Sequence, residues 1–420
     1  MKKRVAAGFL AVLMGLTMAA CGEKKEEPKE TKASEAGLEA EMEEAAEAAA
    51  EEEEAPSAEE TPDAAEEIPD TAPAGMAFNN LSGTWIPESS ADLRPFACMI
   101  ENGEGDLPFW GVSKADIVYE APAESDITRI MALWQDWPSI EKIGTVRSAR
   151  TYFAAWSKEY DALFGHFGCS IFAIPMLRTI DDMDGIGVDM GSETDEAKQK
   201  QSPYLEDTMF FRDPNRSSVH SVYTNGDYIE KTLEKYPDHY RKTVKDGIGP
   251  RFDFAKASEP VDLSADPNVK DCIVVTPGGY TDKKPWYVYD EDSGLYMRFQ
   301  KGEKNVDEYY GEQLSARNIL IQNVDYELYT GVDADYDAHN YKNIHTCGNG
   351  DGWYITGGKA IPIMWSKSGS ATDGEQTIFL DMSGKGIKLN PGTTWINIVL
   401  NENKEKTGIY ESEAAYQSAK

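Results

Sequence analysis

From residue 94 onward, short apolar runs alternate with polar or turn-forming residues, a pattern typical of strands joined by loops. In the first part of this region the runs predict strands at 95–100, 115–119, 127–133, 142–146 and 161–167. Helical spacing predicts helices at 151–160, 171–180 and 227–236, with Thr151 as the candidate N-cap. This mixed order indicates an α/β sheet with helices packed on it.

The second part of the region contains strand patterns only. The runs predict strands at 272–276, 286–289, 295–299, 318–324, 353–355, 360–365, 377–380 and 395–400. Residues 290–294 read as the turn of a hairpin. The predicted class is therefore α+β. It comprises an N-terminal mixed α/β domain followed by an all-β domain that is a sandwich or a partly closed barrel.

The first 21 residues predict a lipoprotein signal peptide. A basic start is followed by an apolar stretch too short to span a bilayer as a mature helix. The sequence Met18-Ala19-Ala20-Cys21 resembles the lipobox read by lipoprotein-processing enzymes, and this resemblance implies fatty-acyl chains such as palmitate on Cys21. The alternative is an ordinary signal peptide with a chance cysteine.

Residues 22–75 predict a disordered acidic linker. The segment is rich in Glu, Ala and Pro, and it carries 20 acidic against 4 basic residues. Such a composition cannot bury enough apolar surface to offset the entropy of ordering. We expect the folded part to comprise a mixed α/β domain at 76–260, a β-rich domain at 261–405 and a C-terminal tail at 406–420.

Charge and motifs exclude several classes of function. The net charge of −33, about half of it in the linker, argues against nucleic acid as a partner and against a basic patch for anionic lipid. No nucleotide-binding loop or common hydrolase motif occurs, so the sequence predicts no cofactor. The five widely spaced cysteines predict no metal site, although they leave open a disulfide between two of Cys98, Cys169, Cys272 and Cys347.

Charged residues crowd the predicted strand ends of the first domain. Arg147 and Arg150, three apart at a strand-to-helix junction, can point the same way and hold a carboxylate or phosphate. In the alternative, they pair internally with Glu120, Asp126 or Asp161. The candidate ligand-binding residues are Glu120, Arg129, Arg147, Arg150, Asp161, His166 and His220.

Several of these segments occur in close order and are similar to a known family. They are Arg94-Pro95, the strand from Ala115 to Glu120, Ile127-Thr128-Arg129, Arg147-Ser148-Ala149-Arg150, and Tyr160-Asp161-Ala162-Leu163 with His166. This order resembles the YerB-like family of Gram-positive lipoproteins, whose two-part domain has no assigned activity. The chain departs from the family pattern at Val219-His220-Ser221, where Pro-His-Asn is usual, and at Cys169, where a second Gly is common. The resemblance implies fold and location rather than mechanism.

The sequence therefore predicts a lipoprotein anchored in the cell membrane through its N-terminal lipid and exposed on the extracytoplasmic face. As its function we expect binding of a cell-wall component or of another envelope protein. One alternative is an enzyme acting on peptidoglycan or a wall polymer, with His166 working beside Glu120 or Asp161. A second alternative is a solute-binding lipoprotein.

Overall fold

The computed structural model describes residues 68–420, except residues 103–108, 126, 188–201, 218–219, 246–248 and 332–336. The predicted signal peptide, the lipid-attachment residue Cys21 and most of the predicted linker lie outside the described residues. The last linker residues contact the folded part, because the Pro69 carbonyl accepts a hydrogen bond from Trp85 Nε1 at 2.7 Å.

Eleven of the described strands belong to the first half of the chain. They are β1 Met76–Phe78, β2 Trp85–Pro87, β3 Phe96–Ile100, β4 Ile117–Pro122, β5 Thr128–Trp134, β6 Ile143–Gly144, β7 Leu163–His166, β8 Asp182–Asp184, β9 Phe211–Arg212, β10 Val222–Thr224 and β11 Asp253–Phe254.

The second half contributes the remaining described strands. They are β12 Lys270–Asp271, β13 Val274–Thr276, β14 Trp286–Asp290, β15 Leu295–Gln300, β16 Glu303–Lys304, β17 Ser315–Ala316, β18 Asn318–Val324, β19 Tyr326–Leu328, β20 Lys342–Ile344, β21 Gly348–Thr356, β22 Lys359–Lys367, β23 Ile378–Asp381, β24 Lys388–Leu389, β25 Thr394–Leu400 and β26 Gly408–Tyr410.

Helices are few and short in the described part. The α-helices are α1 Thr151–Glu159, α2 Ile174–Leu177, α3 Gly226–Lys235 and α4 Glu413–Ala419, and the 3-10 turns are Glu88–Ser90, Val112–Lys114, Trp137–Ser139, Ile171–Ala173, Leu263–Ala265 and Asn401–Lys406. Thr151 is the first residue of α1 rather than its N-cap, which is Arg150. The Thr151 hydroxyl donates to the Phe172 carbonyl at 3.0 Å instead of capping the helix.

One eleven-stranded sheet runs through both halves of the chain. Its strand order is β12-β22-β21-β18-β25-β4-β5-β3-β7-β8, with β23 paired to β22. The late strand β25 lies between β18 and β4 and is parallel to both. The central strands of this large sheet are buried on both faces, which explains their almost continuously apolar sequences.

A six-stranded sheet built from β16, β15, β14, β13 and β26, with β17 paired to β15, packs on one face of the large sheet. Tyr287 and Tyr296 of the smaller sheet share a buried cluster with Ile319, Ile321 and Trp395 of the larger one. The second half is therefore sandwich-like, and the predicted α+β class is confirmed. No closed barrel forms among the strands described.

One feature differs from the sequence expectations, and one alternative that the sequence leaves open is decided. Residues 406–420, expected to be a tail, contain β26 and α4, and β26 pairs with β13. The four cysteines Cys98, Cys169, Cys272 and Cys347 are free thiols, with Cys98 and Cys272 fully buried. The division at residue 260 stays a prediction, although β25 crosses it by pairing with β4.

Candidate functional site

The predicted site residues lie mainly along one edge of the large sheet. Strands β18, β25, β4, β3, β7 and β8 run in one direction, because β5 is antiparallel to both β4 and β3. Their carboxyl ends therefore share one edge, where ligands usually bind in open α/β sheets. Glu101 follows β3, Glu124 follows β4 and Gly168 follows β7 at this edge.

Glu120 joins the two halves of the chain inside the molecule. Its Oε2 accepts from Arg298 Nη2 of β15 at 2.9 Å, and neither side chain is exposed. Its Oε1 accepts from Asn102 Nδ2 at 2.9 Å and from Thr128 Oγ1 at 2.8 Å. Burial lowers the pKa of Arg298, but Glu120 and Tyr287 together outweigh burial and raise it. Glu120 is thus fully engaged by internal partners.

Arg129 does not pair with Glu120, because the two side chains lie on opposite faces of the sheet. Glu120 is in register with Ile130, and Arg129 with Ala121, so the two alternate across the pleat. Arg129 Nη2 instead donates to Glu124 Oε1 at 2.8 Å. Burial and the nearby Arg150 lower the pKa of Arg129 to about 10, which leaves it charged at neutral pH.

Glu124 holds Arg150 as well as Arg129. Arg150 donates through Nε to Oε2 at 2.9 Å and through Nη2 to Oε1 at 2.6 Å. The Nη1 atoms of both arginines donate to the Ser148 carbonyl. Burial would raise the pKa of Glu124, but Arg129 and Arg150 outweigh it and lower the pKa to about 2. This geometry is a closed, bidentate carboxylate–guanidinium cluster.

His166 is buried between two aspartates at the end of β7. Its Nε2 lies 3.5 Å from Asp182 Oδ2, and its Nδ1 lies 3.6 Å from Asp184 Oδ1 and 2.9 Å from the Gly168 carbonyl oxygen. Burial would lower the pKa of His166, but Asp184 and Asp182 outweigh burial and raise it. With no exposed surface, His166 is enclosed rather than presented to a ligand.

Asp161 lies apart from the carboxyl edge, in the turn that precedes β7. It accepts two hydrogen bonds from Arg241 Nη2, at 2.6 and 2.7 Å, and Arg94 Nη2 is 3.9 Å away. His166, Glu120 and Asp161 therefore lie with three separate sets of partners, and His166 is paired with neither of the two acids that the sequence offers it.

Arg147 and His220 form the open part of this region. Arg147 Nε lies 2.7 Å from Glu101 Oε2, and His220 Nδ1 lies 3.3 Å from the same oxygen. The Glu101 side chain is 2% exposed, whereas those of Arg147 and His220 are 22% and 31% exposed. A buried carboxylate thus holds two cationic or potentially cationic groups at the surface.

Of the two alternatives for Arg147 and Arg150, the structure has the one in which they face carboxylates of the chain rather than pointing the same way. The segment around them is extended, since Val146 bridges Ile100 and Ala149 bridges Cys169. In an extended chain, residues three apart face opposite sides. The alternative of internal pairing holds for both arginines, although Glu101 and Glu124 are the partners. Asp126, one of the expected partners, lies outside the described residues.

Sequence reasoning missed four residues that organise this region. Glu101 is the first polar residue after a buried strand, and that position could have revealed it. Asp182 and Asp184 alternate in a strand too short and too acidic for its pattern to be recognised. Arg298 sits at an inward position of β15 and gives no signal in the sequence.

Metal-ligand groups and membrane spans were sought within the described ranges. There, no three His, Cys, Asp or Glu side chains are grouped so that they could hold a metal ion. The helices of the same ranges are all too short or too polar to cross a bilayer.

Comparisons with known proteins extend over most of the folded part. Residues 81–240 match the N-terminal domain, and residues 275–396 the C-terminal domain, of the family described as "Protein of unknown function (DUF3048)". A Bacillus subtilis protein named "Putative lipoprotein YerB" is 28% identical over 321 residues, which make up 76% of this chain and 85% of the relative. The crystal structure of YerB protein from Bacillus subtilis matches with a TM-score of 0.62 and 27% identity, covering 80% of this chain and 99% of that chain.

Proposed function

The chain belongs to the DUF3048 family, and from that premise we propose that it is a lipid-anchored extracytoplasmic lipoprotein that binds an anionic group of a cell-wall component through Arg147 and His220. Two independent supports bear on the anchoring part of this proposal. The sequence around Cys21 resembles a lipobox, and the Bacillus relative carries a lipoprotein name. Acylation at Cys21 would hold the folded part outside the cytoplasmic membrane.

The binding part of the proposal is carried by one observation. Arg147 and His220 meet on the buried Glu101 at the carboxyl edge and remain 22% and 31% exposed. The nearby Arg129 and Arg150 add positive charge, which Glu124 only partly balances. A guanidinium beside an imidazole suits a carboxylate or a phosphate, the anionic groups carried by wall peptides and wall polymers.

Anchoring is tested by labelling growing cells with a fatty-acid analogue. The full chain should take up the label, and Cys21→Ala should abolish it, because the thiol is the acylation site in this proposal. A label retained by Cys21→Ala would contradict the anchoring proposal without touching the binding proposal.

Binding is tested by co-sedimentation of the purified full chain with purified cell walls. Arg147→Ala should weaken binding roughly tenfold or more, the effect of losing one charge-assisted hydrogen bond. Arg178→Ala is the matched control, since Arg178 is an exposed arginine on another part of the first half. Equal binding by both variants and the parent chain would overturn the assignment of Arg147.

A further inference from the structure

A cavity of about 280 Å³ lies on the opposite side of the first half from the predicted site, where the two halves of the chain meet. Its wall is built from the β1–β2 hairpin, the turn before β4, the end of β5 and the loop after β16. At about 30 Å³ for each water, the cavity has room for roughly nine water molecules or one small organic group. Ligand sites occur preferentially at such junctions.

Two carboxylates dominate the polar lining of this cavity. Asp116 accepts from Asn79 Nδ2 and from the Gln135 backbone N–H, both at 2.7 Å. Asp136 accepts from Ser90 Oγ through Oδ1. Burial, assisted by Asp136, raises the pKa of Asp116 to about 6. Asp116 is therefore mostly ionised at neutral pH, and with the second carboxylate beside it the cavity disfavours an anion.

The positive group at the rim is already engaged. Lys114 Nζ is hydrogen-bonded to Glu312 and lies 5.0 Å from the centre of the Tyr310 ring. Because Lys114 is paired with Glu312, it does not fully balance the charge of the two carboxylates. It also covers one face of the Tyr310 ring. The other aromatic residue of the wall, Trp134, is almost completely buried, with Nε1 donating to the Gly111 carbonyl at 3.0 Å. Sugar rings stack on open aromatic faces, and in this cavity Trp134 is buried and one face of Tyr310 is taken by Lys114.

We propose that this cavity binds a primary ammonium group on a short alkyl chain, with the ammonium between Asp116 and Asp136 and the chain against Ile86 and Ile140. Carboxylate oxygens are the partners that an ammonium prefers, and the two isoleucines line the same cavity. Such a group is carried by small free amines and by lysine-like side chains of peptides. The proposal concerns a second site and does not depend on Arg147 or His220.

The test is calorimetric titration of the purified full chain with n-butylammonium chloride and, separately, with 1-butanol. The amine should bind and the alcohol should not, because only the amine carries the charge. A Gly-Lys-Gly peptide and its Nε-acetylated form then separate the two sources. Binding of the lysine peptide, lost on acetylation, assigns a peptide side chain, whereas binding of n-butylammonium alone assigns a free small amine.

Asp136→Asn is the diagnostic variant, since the amide oxygen can still accept from Ser90 and keep the turn folded. It should weaken n-butylammonium binding roughly tenfold to one-hundredfold, the effect of removing one charge-assisted hydrogen bond. Asp92→Asn, at an exposed aspartate nearby that does not line the cavity, should leave binding unchanged. Binding that Asp136→Asn does not weaken would overturn the proposal, as would equal binding of amine and alcohol or no binding of amine at all.

Acid supplies a second readout. The charged and titratable groups that line the cavity with Asp116 are Asp136 from the turn after β5, Lys114 from the turn before β4 and Tyr310 from the second half. Affinity for n-butylammonium should fall as the pH drops below about 6, because protonated Asp116 no longer attracts the cation. An affinity independent of pH from 7.5 to 5 would contradict the placement of the ammonium beside Asp116.

Discussion

Two glutamates near the carboxyl edge of the large sheet each hold an arginine, yet their surroundings differ sharply. Glu120 and Arg298 are both fully buried, and their contact links β4 of the first half to β15 of the second. Glu101 is almost as buried, but its partners Arg147 and His220 reach the surface. The same carboxylate–guanidinium pairing therefore stabilises the core in one place and holds a partly exposed cation at the surface in the other.

The difference teaches that the exposure of the cation, rather than the presence of a carboxylate partner, separates an internal ion pair from a candidate anion site. Removing one member of a buried pair leaves an uncompensated charge in a medium of low dielectric constant. Removing a partly exposed cation leaves its carboxylate closer to water, so the loss of stability is smaller. Four predictions can break or sharpen this contrast.

The largest effect is expected for Arg298→Ala. The substitution leaves Glu120 buried without its counter-charge and should lower the free energy of unfolding by about 3–5 kcal/mol. Urea denaturation of the purified chain measures this loss. The double variant Glu120→Gln with Arg298→Met is the control, because it removes both charges and should recover part of the stability. If Arg298→Ala lowered the free energy of unfolding by less than about 1 kcal/mol, the pair of Glu120 and Arg298 would not be a stabilising core contact, and the contrast with Glu101 would fail.

The second-largest effect is expected for Arg150→Ala, which should lower the free energy of unfolding by about 2–3 kcal/mol. The loss is smaller than for Arg298→Ala because Glu124 keeps Arg129 as one guanidinium partner. The pKa of Glu124 lies at about 2, below its ordinary value of 4.5. Its paired state therefore contributes stability above pH 4.5, and that contribution is lost as the pH falls towards 2. The difference between parent and variant should shrink over this window in acid denaturation. A difference that stays constant down to pH 2 would show that Arg150 stabilises the fold in another way.

His166→Gln should lower the free energy of unfolding by a smaller amount, about 1–2 kcal/mol at pH 6. Its pH dependence should be opposite to that of Arg150→Ala. Asp184 and Asp182 raise the folded-state pKa of His166 despite burial. A raised pKa stabilises the fold fully below the unfolded value of about 6.5, and the contribution disappears as the pH rises through the folded value. Thermal unfolding measured from pH 6 to 9 should show that the stability of the parent chain declines as the pH rises, whereas that of the variant does not. Parallel curves would mean that His166 is neutral throughout.

Periodicity predicts much of this fold because its central strands are strongly apolar. The pattern places β3, β5, β18 and β25 within one or two residues of their observed bounds. It cannot show that β25 inserts beside β4, since pairing between strands nearly 280 residues apart leaves no local signal. The pattern at 406–420 does not show a strand for a similar reason, because β26 forms against the distant strand β13.

The candidate site was predictable in its residue types but not in its pairings. Arg129, Arg147, Arg150 and His166 stand out as charged or polar residues beside apolar runs, and most lie near one edge. Their partners depend on which face each strand presents. Arg147 and Arg150 face different glutamates because the chain between them is extended, a property that the arginines themselves do not encode.

The smallest effect on stability is expected for Arg147→Ala, at about 1 kcal/mol or less, because Arg147 is partly exposed and His220 still faces Glu101. His220→Ala should be similarly mild for the reciprocal reason. The double variant should lose more than the sum of the two single losses, since Glu101 then keeps neither cation. Urea denaturation of the four chains completes this double-mutant cycle. A single Arg147→Ala loss of 3 kcal/mol or more would place Glu101 and Arg147 with the closed pair of Glu120 and Arg298. The exposure of the cation would then no longer separate the two regions, and wall binding through Arg147 would lose its structural basis.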